Sequence, residues 1–173
     1  MDYVFARLRA DDIIVCGNAS ACILPFQVGH LRAGQRLFSN SGSASMGYDL
    51  PAAIGAAMGA GGRRVICFAG DGSLQMNVQE LQTLKTLNAP VLVIVLANNG
   101  YLSIRQTHEN FFGSVVGATP ASGVEFPDYQ RLAFAYGLSA VRIAGSDDLP
   151  LMDHFLTQDG PPDPDRRGPR SAL

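Results

Sequence analysis

An acidic and an amide side chain follow two neighbouring apolar runs of this 173-residue chain. Asp71 follows the run 64–69 after a single glycine, Gly70, and Asn98 comes directly after the run 91–97. A hard divalent cation such as Mg²⁺ takes about six oxygen ligands and often shares a phosphate ligand with the protein. A carboxylate, an amide oxygen and glycine-rich backbone could therefore bind such a cation and a phosphate together, provided that the fold makes them converge.

The segment between these two runs predicts the fold element that would bring the two side chains together. Residues 77–88 have helical spacing, so the segment indicates a strand, a crossover helix and a second, parallel strand. Asp71 and Asn98 would then share the carboxyl edge of the sheet, where open α/β folds bind ligands. The alternative is that Gly-Asp-Gly and Asn-Asn-Gly are simply turns that end strands.

The rest of the chain continues the alternation and predicts an α/β fold, a doubly wound, mostly parallel sheet with helices on both faces. We expect one domain over 1–160 and a disordered, proline-rich tail over 161–173. Phe111 and Phe112 are expected to anchor a loop over 109–125. The predicted strands are 12–17, 64–69, 91–97 and 138–143, and the predicted helices are 19–28, 46–59, 77–88, 103–106, 127–136 and 149–158.

Composition excludes several classes of function. Hydrophobic residues make up 47% of the chain and charged residues 16%, and the net charge is −2, which gives no indication of nucleic-acid or membrane-surface binding. The apolar runs are too short to span a bilayer, and no leader sequence is recognised. Cys16, Cys22 and Cys67 lack paired spacing, so we expect reduced thiols in a cytoplasmic protein.

The two motifs together resemble the GDG…NN signature of thiamine diphosphate (ThDP) enzymes. Residues 11–160 are similar to the diphosphate-binding domain of the acetolactate synthase and pyruvate decarboxylase branch of that family. The resemblance implies ThDP and Mg²⁺ as cofactors, with the metal held by Asp71, Asn98 and the backbone carbonyl of Gly100. The cofactor-binding set that it implies also includes Gly70, Gly72, Ser73 and Tyr101.

Two further segments belong to the same resemblance. In 43–57, Met46 takes the position of the apolar wedge that bends the cofactor, Ala44 and Met46 offer backbone groups to its aminopyrimidine ring, and Ser45 lies between them. The alternative is that Met46 simply begins a buried helix. After the first predicted strand, Asn18 and Ser20 are candidates for cofactor contact, although either could equally cap the next helix.

The resemblance implies the diphosphate-binding half of an enzyme that acts on small 2-oxo acids. The glutamate that activates the cofactor belongs, in that family, to a pyrimidine domain of an adjacent subunit, so no catalytic residue is assigned in this chain. A partner chain or second subunit, and hence an oligomer, is expected. Pyruvate-decarboxylase-like members carry a carboxylate where this chain has Ile104, which favours carboligation.

Two alternatives to this function stay open at the level of sequence. The chain could be a truncated, non-catalytic domain that binds ThDP or acts through association. It could also be a different nucleotide-binding α/β protein, although neither GxGxxG after the first strand nor GxxxxGK[ST] occurs.

Overall fold

A computed structural model describes residues 1–157 of the chain. Within that range the strands are β1 (Ile13–Cys16), β2 (Arg36–Ser39), β3 (Val65–Gly70) and β4 (Val91–Leu96). The α-helices are α1 (Asp2–Phe5), α2 (Ser20–Val28), α3 (Asp49–Gly59), α4 (Asp71–Met76), α5 (Glu80–Thr86), α6 (Leu102–Thr107), α7 (Tyr129–Ala135) and α8 (Asp153–Thr157). A π-helix covers His108–Phe112, and 3-10 helices cover Pro120–Ser122 and Ser146–Met152.

The four described strands form one parallel sheet in the order β2-β1-β3-β4. The inner strands β1 and β3 are almost wholly buried, as expected where helices cover both faces of a sheet. Their side chains alternate between two hydrophobic clusters. Ile13 and Val15 pack with α3, α5 and α7, whereas Ile14 and Cys16 pack with α1, α2 and α8. The predicted fold class is therefore confirmed.

Several predicted elements are wrong in extent or in kind. The segment 138–143 forms no strand in the structure, although Leu138 and Ala140 still pack on a hydrophobic cluster. β2 was not predicted, because a four-residue edge strand that begins with an exposed arginine has little apolar signal. The predicted helix 77–88 is in fact α5, preceded by the separate helix α4, which begins at Asp71 itself.

The loop over 109–125 also differs from expectation. Phe111 and Phe112 are 79% and 71% exposed, so they do not anchor the loop to the described part of the protein.

The three cysteines are free, and burial raises the pKa of the Cys16 thiol to about 12, which agrees with unreactive structural thiols. The predicted tail 161–173 and the end of the predicted helix 149–158 lie outside the described residues.

The amino edge of the sheet, opposite the predicted site, is closed by a buried ion pair. Arg64 Nε donates to Asp12 Oδ1 at 2.8 Å, and the same guanidinium also donates to the carbonyl of Leu156 in α8. Asp12 is fully buried, so the pair joins β1, β3 and α8 at this end.

No helix described in 1–157 has the length and apolar character needed to cross a membrane.

Candidate functional site

The register of β3 and β4 brings the Asp71 and Asn98 segments together. Gly70 pairs with Leu96 at the last position of the ladder, so Asp71 and Asn98 both leave the sheet at its carboxyl edge. The first residues of α4 are also buried, and Asp71 is only 3% exposed. The predicted convergence at this edge is therefore present in the structure.

Backbone N–H groups from the first turn of α4 and from the loop after β4 orient the Asp71 carboxylate. Its Oδ1 accepts a hydrogen bond from Gly72 N at 2.8 Å, and its Oδ2 accepts one from Gly100 N at 3.1 Å. Each bond is charge-assisted and therefore stronger than a neutral one. The carboxylate thus holds the metal-loop candidate, Asn98–Gly100, against the start of α4.

The Asn98 amide completes a group of three polar atoms. One terminal atom of this amide lies 2.7 Å from the Gly100 carbonyl oxygen and 3.3 Å from Asp71 Oδ1. With nitrogen at that position, the amide donates to both oxygens and braces the loop. With oxygen there, three oxygens of three residues face one another.

The spacing of these atoms suits a small divalent cation. Ligands at right angles around Mg²⁺, at about 2.0–2.1 Å from the metal, lie about 2.9 Å from one another. The observed 2.7 and 3.3 Å bracket that value. Within residues 1–157, no group of three or more His, Cys, Asp or Glu side chains is arranged so that it could hold a metal ion.

Two glycines allow the loops to approach so closely. A Cβ on Gly72 would lie 2.2 Å from the Tyr101 ring, and a Cβ on Gly100, whose φ is +133°, would lie 2.0 Å from the Ala118 carbonyl oxygen. Both distances are far inside van der Waals contact. Glycine is therefore required at both positions.

An aromatic cluster packs over the start of α4. The rings of Tyr101 and Phe126 meet edge to face with centroids 5.5 Å apart. The Tyr129 hydroxyl, at the start of α7, donates to the Asp71 carbonyl at 2.8 Å. Burial is the main cause that raises the pKa of the Tyr129 phenol, so the hydroxyl stays protonated and continues to donate at neutral pH.

Tyr129 is a site residue that sequence reasoning missed. It lies 58 positions from Asp71 along the chain, and the helical pattern of 127–136 gives no sign that the hydroxyl reaches back to the start of α4. Only the tertiary fold reveals this contact.

The loop that carries Met46 docks on α4. Gly47 N donates to Ser73 Oγ at 2.9 Å, and Asn77 Nδ2 donates to the Gly47 carbonyl at 2.7 Å. Met46 itself is 38% exposed, so the alternative that it begins a buried helix is wrong, and α3 begins only at Asp49. Ala44 has a left-handed φ of +49°, and Ser45 Oγ accepts from Asn40 Nδ2 at 3.2 Å.

The segment after β1 reaches the same edge of the sheet, but it does not cap its helix as expected. The N-cap of α2 is Ala19, with φ 47° and ψ −129°, and no side chain provides a capping hydrogen bond. The alternative that Asn18 or Ser20 simply caps the helix is therefore wrong. Both residues are half-buried, and their contact with a cofactor stays a prediction.

Comparison with known proteins identifies a family for this chain. The family model described as "Thiamine pyrophosphate enzyme, C-terminal TPP binding domain" matches residues 19–161; thiamine pyrophosphate (TPP) is another name for ThDP. The chain is 35% identical over 135 residues to the acetolactate synthase isozyme 2 large subunit of Escherichia coli (strain K12). It is 40% identical over 105 residues to the acetolactate synthase large subunit of Pyropia yezoensis.

A solved structure gives the same result at the level of the fold. The thiamine diphosphate-dependent 4-hydroxybenzoylformate decarboxylase of Rhodococcus jostii RHA1 aligns with a TM-score of 0.75 at 28% identity, over 92% of this chain and 30% of that one. The matches cover 78% and 61% of this chain, but only 24% and 18% of the two acetolactate synthase subunits. The chain thus spans a minor part of the length of these relatives.

Proposed function

This chain belongs to the family of thiamine pyrophosphate enzyme C-terminal TPP-binding domains, and from that premise we propose that it is the diphosphate-binding part of an acetolactate synthase-like enzyme. Its substrates are small 2-oxo acids, and a pyrimidine domain from a partner chain or second subunit completes the active site. When bound, ThDP supplies the electron sink for loss of CO₂ from a 2-oxo acid. The protein binds and orients the cofactor.

The observation that carries this proposal is the group of three polar atoms from Asp71, Asn98 and Gly100. These residues hold Mg²⁺, and the metal links the protein to the diphosphate of the cofactor. The separations of 2.7 and 3.3 Å support this assignment because they bracket the spacing of neighbouring ligands around Mg²⁺. Asp71 provides the charge of the set, since the other two ligands are neutral.

The remaining cofactor contacts are those that the family resemblance implies. Backbone N–H groups of Gly72 and Ser73 lie in the first turn of α4 and are donors for the diphosphate, with Gly70 and Tyr101 beside them. Ala44, Ser45 and Met46 form the loop that docks on α4, and they receive the aminopyrimidine side of the cofactor. Asn18 and Ser20, after β1, complete the set at the carboxyl edge.

The test is a calorimetric titration of the purified full chain with ThDP, with and without Mg²⁺. The wild-type chain is expected to bind ThDP only when Mg²⁺ is present. Asp71→Asn keeps the shape of the side chain but removes its charge, so it is expected to abolish measurable binding. Asp11→Asn removes one charge from an exposed position at the amino edge of the sheet and serves as the matched control. Unchanged affinity in Asp71→Asn would refute the metal assignment.

A further inference from the structure

Asp49 is a buried acidic residue that the proposed function does not use. It is fully buried at the start of α3. Its Oδ1 accepts from Leu50 N at 2.9 Å, and its Oδ2 accepts from Ser73 Oγ at 2.6 Å. Burial raises the pKa of this carboxyl, and the hydrogen bond from Ser73 opposes that shift. Placing a carboxyl here costs free energy, so its contacts require an explanation.

The hydrogen bonds of Asp49 lead to the loop that carries Met46. Ser73 Oγ donates its proton to Asp49 and in turn accepts from Gly47 N at 2.9 Å. Asn77, four residues after Ser73, donates to the Gly47 carbonyl at 2.7 Å. The N–H and the carbonyl of Gly47 are thus both hydrogen-bonded to the segment 73–77, and Met46 directly precedes Gly47.

The residues around Asp49 and Gly47 are so closely packed that an added Cβ would not fit. A Cβ on Gly17, at the end of β1, would lie 2.5 Å from Asp49 Oδ2, and a Cβ on Gly47 would lie 2.8 Å from Asn77 Nδ2. Gly47 has a φ of +78°, which L side chains rarely adopt. The Asp49 carboxyl therefore packs against the segment after β1 and is hydrogen-bonded to α4, which in turn binds the loop that carries Met46.

From these contacts we propose that Asp49 is a positioning residue that acts through Ser73 to fix the Met46–Gly47 loop, and so sets the affinity of the site for ThDP. The second half of this statement rests on the proposed function. Asp49 orients the Ser73 hydroxyl by accepting its hydrogen bond, and this orientation leaves a lone pair of the hydroxyl oxygen facing Gly47 N. It also follows that Ser73 offers the cofactor its backbone N–H, because its hydroxyl is already engaged.

The first test needs no cofactor. Amide hydrogen exchange of the full chain measures protection of Gly47 N–H, and we expect Asp49→Asn and Ser73→Ala each to lower it by roughly tenfold or more. Asp12→Asn is the matched control, because Asp12 is equally buried but lies at the amino edge of the sheet. If Asp12→Asn lowers the global stability of the protein, its Gly47 exchange rate shows how much faster exchange becomes from lower stability alone. Gly47 protection unchanged relative to Asp12→Asn in both variants would overturn the proposal.

The second test asks whether Asp49 acts through Ser73. Calorimetric ThDP affinities with Mg²⁺ are measured for Asp49→Asn, Ser73→Ala and the double variant. If the two residues act in one chain of contacts, the double variant binds no more weakly than Ser73→Ala alone. Fully additive losses would overturn this part. If Asp49→Asn fails to fold, Ser73→Ala still reports on Gly47. If the wild-type chain binds no ThDP, the proposed function fails, while the exchange test still decides whether Asp49 fixes the loop.

Discussion

At the scale of single residues, Met46 separates a role in packing from a role in cofactor binding. Because Met46 is 38% exposed, truncation removes less buried surface than it would at a fully buried methionine. Met46→Ala is therefore expected to lower the free energy of unfolding by less than the roughly 2–5 kcal/mol typical of a buried methionine. If Met46 is the wedge under the bent cofactor, the same variant weakens ThDP binding or turnover of the assembled enzyme.

Thermal melts and calorimetry on the same Met46→Ala sample decide between the two roles. Met46→Leu, which keeps most of the apolar volume, is the matched control and should retain affinity. A large drop in melting temperature together with normal ThDP affinity of the folded fraction would favour a packing role.

Tyr129 offers a second residue-scale prediction. Tyr129→Phe keeps the ring but removes the hydroxyl that donates to the Asp71 carbonyl. We expect a stability loss of about 1 kcal/mol, the usual effect of one hydrogen bond, and a severalfold weaker Mg²⁺-dependent affinity for ThDP, because the start of α4 is less firmly held. Denaturant titration gives the first quantity and calorimetry the second. Unchanged ThDP affinity would limit Tyr129 to a role in stability.

At the scale of secondary-structure elements, the contact between the loop Asn98–Gly100 and the segment around Ala118 depends on Gly100. Gly100→Ala would place a Cβ 2.0 Å from the Ala118 carbonyl oxygen, so one of the two segments must move. We expect loss of Mg²⁺-dependent ThDP binding and a lower melting temperature. Gly117→Ala is the control, since its φ is +60° but no heavy atom lies within 4 Å of the added Cβ. Equal effects of the two variants would show that backbone strain alone matters.

The elements that sequence predicts best are those whose signal is local. β1, β3 and β4 are continuous apolar runs, and the residues that follow β3 and β4 identify the site because parallel strands end at one edge. β2 was not predicted because the exposed Arg36 and the half-buried residues after it give this edge strand little apolar signal. The segment 138–143 has suitable residues, yet pairing depends on a neighbouring strand, which no local pattern encodes.

The contacts that support the site are those that sequence cannot predict. The hydrogen bonds of Tyr129 to Asp71 and of Ser73 to Asp49 span 58 and 24 positions. Each depends on the final packing of helices rather than on a motif. By contrast, Asp71, Asn98 and Gly100 belong to short motifs with a recognisable order, and the structure brings them together as predicted.

At the scale of the whole molecule, the prediction concerns what the 173-residue chain does by itself. We expect no turnover of 2-oxo acids by the lone chain, because the glutamate implied by the family resemblance belongs to a pyrimidine domain. Addition of such a domain should restore activity, with pyruvate as the first substrate. Release of CO₂ from pyruvate measures turnover, and the Asp71→Asn chain with the same partner is the control.

The products then distinguish the subgroups of the family. Ile104 stands where a catalytic carboxylate is implied for decarboxylases, so acetolactate is expected to exceed acetaldehyde. Acetaldehyde as the main product would contradict only the subgroup. Substantial CO₂ release by the lone chain would contradict the half-enzyme proposal, and ThDP binding without turnover, even with a partner, would favour a non-catalytic binding domain.

The pairing of β3 with β4 also limits which changes of chain length the protein can accept. From Val65 with Val91 to Gly70 with Leu96, six consecutive pairs set both the burial pattern and the meeting of Asp71 with Asn98. Deleting one residue from β4 would move Asn98 by about 3.3 Å and reverse the facing of the side chains beyond the deletion. Insertions and deletions in a lineage should therefore accumulate in surface stretches such as 109–125, while β3 and β4 change only by substitution.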